Sequence, residues 1–175
     1  ESALAQANAV GAALALSAPQ YASATLIETT YTPHVAVPDK GRRVTQGRLS
    51  RFGLMLSDRV VVMHDPETIG AAIKAAPGEI VMILTESATS DPLDVAPEAV
   101  RIAGGQVDRF GMPVDPGNLL FIGHVGERPV IGLPGCARSP VLNGADWIVE
   151  RTICGIPVTG DDIAAMGVGG LLKES

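Results

Sequence analysis

Short apolar runs alternate with helix-like segments along this chain, and this alternation restricts the fold more than any other feature of the sequence. Several runs are continuously apolar, as buried parallel strands require, and the predicted strands are 24–29, 59–63, 79–84, 106–110, 119–122 and 129–133. Helical patterns fill most of the intervals, at 43–52, 66–75, 93–103 and 139–154. We therefore predict an α/β fold of three layers (α/β/α), with a mainly parallel sheet between helices. The strands within 119–133 are expected to form an antiparallel hairpin through Gly126 and Glu127.

The length and composition predict one domain with a sizeable core. The chain has 175 residues, of which 46% are hydrophobic and 18% are charged. We assign residues 21–175 to this domain. Residues 1–20 are assigned to a helical segment, predicted at 3–16, which is either a packed appendage or the tail of a preceding domain. Because the chain begins with Glu1 rather than Met, we expect flanking domains in a longer protein.

Charge and cysteine content argue against several classes of protein. The net charge of −6 disfavours nonspecific nucleic-acid binding, which needs a basic face. Cys136 and Cys154 have neither a metal-ligand spacing nor a disulfide framework, so a reducing cytoplasm is the expected compartment. The apolar run 9–17 is too short to span a bilayer and lacks the charged start of a signal peptide. We expect neither nucleic acid nor membrane as a partner.

The turn at residues 133–140 joins a predicted strand to a predicted helix and suits a phosphate. Pro134 and Gly135 form the turn, where Gly135 supplies freedom in φ. Ser139 is placed to cap the helix, and Arg138 adds a positive charge beside the N–H groups of the first helical turn. The alternative interpretation is an ordinary strand-to-helix loop.

A second polar loop follows the predicted strand 79–84. Thr85, Ser87, Thr89 and Ser90 offer hydroxyl groups to a ligand, and the alternative role of this loop is to cap the next helix. In an open α/β sheet, ligands bind beyond the carboxyl ends of the strands, so both loops should face one cleft.

Three other features near these loops have competing interpretations. Lys40, Arg42 and Arg43 lie at a helix start, where they either reach a phosphate or are solvated. His64 follows a strand at the same end of the sheet, but the sequence places neither Ser nor Cys beside it, so no catalytic triad is predicted. Cys136 is either a thiol of lowered pKa at a helix start or a small packed side chain.

Several motifs resemble those of the molybdenum-cofactor biosynthesis domain that molybdopterin adenylyltransferases and molybdopterin molybdenumtransferases share. Asp94-Val95-x-Pro97 and Leu133-Pro134-Gly135-x-x-x-Ser139 match the two loop motifs of that family. Residues 110–120 and 167–174 look most similar to the bacterial branch in which this domain is fused to a nucleotidyltransferase-like domain. The resemblance covers residues 24–174.

The resemblance implies a ligand, partners and roles for site residues. The ligand is molybdopterin, a pterin dithiolene phosphate, or its nucleotide derivative, and the partners are other molybdenum-cofactor biosynthesis proteins and further copies of the chain in a homo-oligomer. Asp94 is implied as the catalytic carboxylate and, with Asp91, as a ligand of Mg²⁺. The alternative for Asp94 is stabilisation of the helix dipole. The implied cofactor-binding residues are Thr85, Glu86, Ser87, Thr89, Ser90, Asp115, Asn118, Pro134, Gly135, Arg138 and Ser139.

One departure from the family pattern decides the order of the functional hypotheses. The family has two glycines after the first Thr of the loop, whereas this chain has Glu86 and Ser87. Side chains there crowd a phosphate, and the carboxylate repels it. We therefore predict a molybdopterin-binding domain first. The alternatives are Mg²⁺-dependent adenylyl transfer to molybdopterin and a non-catalytic scaffold for a fused nucleotidyltransferase.

Overall fold

The computed structural model describes residues 16–167 and 169–170. The helix predicted at 3–16 therefore lies outside the described residues, apart from Leu16. The strands are β1 (Ser23–Thr30), β2 (Met55–Leu56), β3 (Val60–Met63), β4 (Ile80–Leu84), β5 (Gln106–Phe110), β6 (Val114–Asp115), β7 (Phe121–Val125), β8 (Arg128–Gly132) and β9 (Gly169–Gly170). The helices are α1 (Lys40–Ser50), α2 (Pro66–Ala75), α3 (Val95–Ile102), α4 (Gly144–Ile153) and α5 (Gly160–Ala165), with a 3₁₀-helix at Gly135–Arg138.

The main sheet of the described residues has seven strands. Their order is β2-β1-β4-β8-β7-β5, and β3 also pairs with β1. β1 is parallel to β2, β3 and β4, and β4 is parallel to β8, whereas β7 is antiparallel to both β8 and β5. The predicted hairpin is confirmed, because Gly126 and Glu127 join β7 to β8 and Gly126 has a φ of 60°. The sheet is mixed, with its parallel part at the centre.

Helices cover both faces of this sheet. Along β4, Met82 and Leu84 pack with residues of α1 and α4, while Val81 and Ile83 pack with residues of α2 and α3. A strand buried on both faces has no polar side to expose, which explains its continuous apolar sequence. The predicted three-layer α/β/α fold is confirmed. In the described part of the chain, every helix is too short or too polar to cross a lipid bilayer.

The helix predicted at 139–154 is the largest error in the predicted elements. The α-helix starts at Gly144, because Asn143 and Asp146 form a capping box at its first turn. The preceding residues Gly135–Arg138 form a separate 3₁₀ turn. β2, β6 and β9 were not predicted, because two residues are too short for an alternating pattern to be recognised.

Candidate functional site

A cleft of about 440 Å³ opens at the carboxyl ends of β1 and β4, a volume typical of small-molecule sites. Its lining residues come from the end of β1, the loop after it, the start of α1 and the two polar loops: Thr29, Thr30, Val35, Ala36, Val37, Pro38, Lys40, Gly41, Glu86 and Arg138. Gly41 lets α1 lie close to the sheet, since a Cβ there would be 2.6 Å from Cδ2 of Leu84. The lining combines apolar residues of the loop after β1 with the charged residues Lys40, Glu86 and Arg138.

Arg138 joins the two polar loops. Its Nη2 donates a hydrogen bond of 2.6 Å to the backbone oxygen of Thr85. Burial lowers the pKa of Arg138, and the carboxylates of Glu28 and Glu86 oppose this shift. The guanidinium remains charged and lies at the edge of the cleft. The structure therefore brings the two loops together at one end of the sheet, as expected for loops that leave neighbouring parallel strands.

The 3₁₀ turn does not present the start of an α-helix to a ligand, which corrects our prediction for residues 133–140. The N–H of Ala137 donates to the oxygen of Pro134 at 2.9 Å. Ser139 does not cap a helix, because its Oγ accepts a 3.3 Å hydrogen bond from the N–H of Val141. Gly135 is exposed and its φ lies outside the positive region, so the turn does not use the freedom expected of it.

The first turn of α4 already has protein partners for its N–H groups. Gly144 donates to the oxygen of Pro116 at 2.8 Å, and Ala145 donates to Oδ1 of Asn143 at 2.9 Å. Gly117 (φ 129°) permits this approach, because a Cβ there would lie 2.9 Å from the nitrogen of Gly144. This helix start is closed by the protein's own groups.

Arg48 of α1 fixes the 3₁₀ turn in place. It donates to the backbone oxygens of Ala137 at 2.6 Å and Ser139 at 2.8 Å, and it forms an ion pair with Asp146 of the capping box. Both side chains of the pair are largely buried. Sequence analysis missed this contact, since 98 positions separate the two residues.

In the loop after β4, which begins at Thr85, most of the polar groups form hydrogen bonds within the loop. Thr85 is 4% exposed, and its Oγ1 donates to the oxygen of Ser87 and lies 3.4 Å from Oγ1 of Thr89. Ser90 donates its N–H to Oδ2 of Asp94 at 2.9 Å. The hydroxyl groups of Thr85 and Thr89 therefore shape the loop. Their contact with a ligand stays a prediction.

Asp94 is the N-cap of α3. Its Oδ1 accepts a 2.7 Å hydrogen bond from the N–H of Val95, while its Oδ2 accepts from Ser90. Asp91 accepts from the N–H of Leu93 at 2.7 Å. Among residues 16–167 and 169–170, no three His, Cys, Asp or Glu side chains are grouped so that they could hold a metal ion. The structure shows the capping role of Asp94, and its catalytic and metal-binding roles stay predictions.

Asp115 and Asn118 are exposed and lie outside the lining of the cleft. Asp115 belongs to β6 and pairs with Gly170 of β9. It lies near Cys136, where burial, together with the charge of Asp115, raises the pKa of the thiol. The raised pKa argues against the first of our two interpretations, and the half-buried position of Cys136 favours the second, a small packed side chain.

Two further basic residues near the cleft have protein partners, whereas Lys40 lines the cleft itself. Arg42 donates to the oxygen of Ser57 at 2.6 Å, and Arg43 pairs with Asp39 at 3.3 Å on the surface.

Glu28 on β1 is 3% exposed and forms a 2.8 Å ion pair with Arg59. Sequence analysis did not identify Glu28, because its partner Arg59 is 31 positions away and no local pattern shows that this carboxylate is buried.

Tyr31, His64 and Ser87 form a surface cluster beside the cleft. Oγ of Ser87 lies 2.8 Å from the hydroxyl of Tyr31 and 3.5 Å from Nε2 of His64. The fold therefore places a serine next to His64 that sequence spacing did not reveal. The carboxylate of Glu86 accepts a hydrogen bond from the N–H of Tyr31, so the loop after β4 is tied to the loop after β1.

The architecture is a three-layer α/β domain with a cleft at the carboxyl ends of its central parallel strands. Solved structures that are similar to it include those of MoeA and MogA. The molybdopterin biosynthesis MoeA protein from Pyrococcus horikosii has a TM-score of 0.52 and 20% identity, over 87% of this chain and 38% of its own. MogA has a TM-score of 0.51 and 22% identity, over 77% of this chain and 96% of its own.

These similarities show the fold. The chain spans 38% of the length of the MoeA protein. No protein-family profile and no curated protein sequence matches the chain.

Proposed function

We propose that this domain binds molybdopterin in molybdenum-cofactor biosynthesis, with the pterin phosphate in the cleft between α1 and the two polar loops. The proposal rests on the position of Arg138. This residue lines the cleft and connects the turn after β8 to the loop after β4. The family motifs on those loops and the fold shared with MogA and MoeA support it.

The residues of the cleft fit such a ligand. Arg138 uses one N–H group on Thr85, and a guanidinium has five, so it retains donors for phosphate oxygens. Lys40 adds a second positive charge. Val35, Ala36 and Pro38 provide apolar surface for the uncharged part of the ligand. The chain supplies binding and orientation, while the dithiolene is the part of the ligand that takes the metal.

Adenylyl transfer remains an alternative that only the family resemblance supports. Both carboxylate oxygens of Asp94 accept backbone hydrogen bonds, and Glu86 lines the cleft where the family has glycine. We expect little ATP-dependent turnover by this domain, because the Glu86 side chain crowds and repels a triphosphate. Robust adenylylation of molybdopterin by the wild type in the presence of Mg²⁺ would reverse this order.

Calorimetric titration with molybdopterin tests the proposal. Arg138→Ala should weaken binding by about 1.5–3 kcal/mol, the range for a hydrogen bond to a charged group, and Arg138→Lys should lose less. Arg43→Ala is the matched control, since Arg43 is exposed and lies outside the cleft. Equal affinities of wild type and Arg138→Ala would overturn the proposed site. An absence of binding to the wild type would favour the scaffold alternative.

A further inference from the structure

Tyr31 is an exposed aromatic residue whose backbone and side chain are both fixed by contacts. It is 54% exposed, yet its N–H donates to Oε2 of Glu86, its hydroxyl lies 2.8 Å from Oγ of Ser87, and its ring centroid is 4.5 Å from that of His64. The two rings are tilted by 47°. Contacts therefore fix the backbone, the ring and the hydroxyl of Tyr31 beside Glu86, which lines the cleft.

The partners of Tyr31 are themselves tied to the sheet. Nδ1 of His64 lies 2.9 Å from Oγ1 of Thr29, and the same Oγ1 accepts a 2.8 Å hydrogen bond from the N–H of Glu86. Thr29 is almost fully buried. These contacts link the ends of β1, β3 and β4, so little rotational freedom of the Tyr31 ring remains to be lost when a ligand stacks on it.

Glu86 presents a carboxylate to the same cleft. Among the described residues, its Oε2 alone accepts a hydrogen bond, the one from Tyr31. A carboxylate has about four acceptor positions, so most of its capacity remains for a ligand. Phosphates are repelled by this group, whereas a pair of neighbouring N–H donors is attracted. A 2-amino-4-oxopteridine offers such a pair at its N2 and N3 positions.

We propose that Tyr31 and Glu86 form the subsite for the heterocyclic ring, which stacks on Tyr31 while the Glu86 carboxylate accepts from its N2 and N3 donors. This assignment rests on the proposed function. It gives Glu86, which departs from the family's glycine, a role in selecting an amino-pteridine over rings that present a carbonyl at the same position. Arg138 and Lys40 are left to bind the anionic end.

Fluorescence titration with two probes tests this subsite. The probes are pterin-6-carboxylate and lumazine-6-carboxylate, which differ in carrying an amino group or a carbonyl at ring position 2. Wild type should prefer the pterin by about tenfold or more, because lumazine turns a donor into an acceptor facing the carboxylate. Glu86→Gln should remove this preference, while Glu67→Gln, an exposed carboxylate on α2, should retain it.

Variants of Tyr31 test the stacking. Tyr31→Ala should weaken binding of the pterin roughly tenfold, and Tyr31→Phe should retain most of the affinity, since the ring is kept. Pterin binding that depends on Arg138 but is unchanged by Glu86→Gln and Tyr31→Ala would overturn the subsite and leave the proposed function standing. An effect of only one of the two substitutions would overturn the role of the other residue. If the wild type binds molybdopterin but neither probe, the subsite is overturned and the proposed function stands, whereas failure to bind molybdopterin as well overturns both proposals.

Discussion

Several polar side chains at the carboxyl end of β4 stabilise the fold itself. Asp94 caps α3 and also accepts from Ser90, and Thr85 folds its hydroxyl back onto its own loop. Polar residues in a strand-to-helix loop satisfy backbone groups that the loop would otherwise leave unpaired. A motif residue can therefore have a structural role in addition to the one that the family resemblance implies.

Asp94→Ala is expected to lower the free energy of unfolding by about 1 kcal/mol, because the helix loses its N-cap acceptor. Urea unfolding of the variant and wild type measures this difference. Asp91→Ala is the control, since the exposed side chain of Asp91 accepts only the local hydrogen bond from Leu93 among the described residues. Unchanged stability of Asp94→Ala, together with a loss of Mg²⁺-dependent nucleotide affinity, would show that a site role dominates instead.

The helices and strands are joined at the site by a small number of buried contacts. Arg48 connects α1 to the 3₁₀ turn and to the capping box of α4. A second ion pair joins Arg51, directly after α1, to Glu150 of α4 at 3.5 Å, and the Arg51 side chain is 62% exposed. Removing one partner of a buried pair leaves an uncompensated charge, whereas water screens an exposed pair.

Arg48→Met is therefore expected to destabilise the domain by about 3–5 kcal/mol, and Arg51→Met by less than about 1 kcal/mol. Urea unfolding of the two variants under identical conditions provides the measurement. Because Arg48→Met removes the hydrogen bonds to Ala137 and Ser139, it should also loosen the turn that contains Arg138 and weaken ligand binding. Equal, small effects of the two substitutions would contradict the central role of Arg48.

The molecule as a whole has carboxylates whose hydrogen bonds favour the charged form. The Thr68 hydroxyl lowers the pKa of Asp65, the N–H of Ala22 lowers the pKa of Glu79, and the Thr159 hydroxyl lowers the pKa of Asp162. The ordinary values are 3.8 for Asp and 4.5 for Glu. Below these values the unfolded chain binds more protons than the folded one, so acid favours unfolding.

The stability that these groups contribute should be present above pH 4.5 and decline as the pH falls through their lowered pKa values. Urea unfolding at a series of pH values measures the slope. Asp65→Asn should flatten the slope, because Asn keeps the N-cap of α2 but does not titrate. Parallel pH curves for the variant and wild type would rule out a contribution from Asp65.

Local sequence patterns are sufficient to predict the layers and most of the elements. The continuous apolar run of β4, the Gly126-Glu127 turn and the Asp65-Pro66 start of α2 each depend on neighbours within a few residues. The capping box at Asn143 and Asp146 is equally local, although the predicted cap of this helix was Ser139. The position of the two polar loops also follows from their place after parallel strands.

The contacts that join the loops after β1, β4 and β8 depend on the order of strands in the sheet. Arg138 meets Thr85 because β8 lies beside β4, and Tyr31 meets Glu86 because β1 lies on the other side of β4. Between 53 and 55 positions separate the members of these pairs, and periodicity carries no information over such distances. The sequence therefore predicts which residues are available, whereas tertiary packing determines which of them share a cleft.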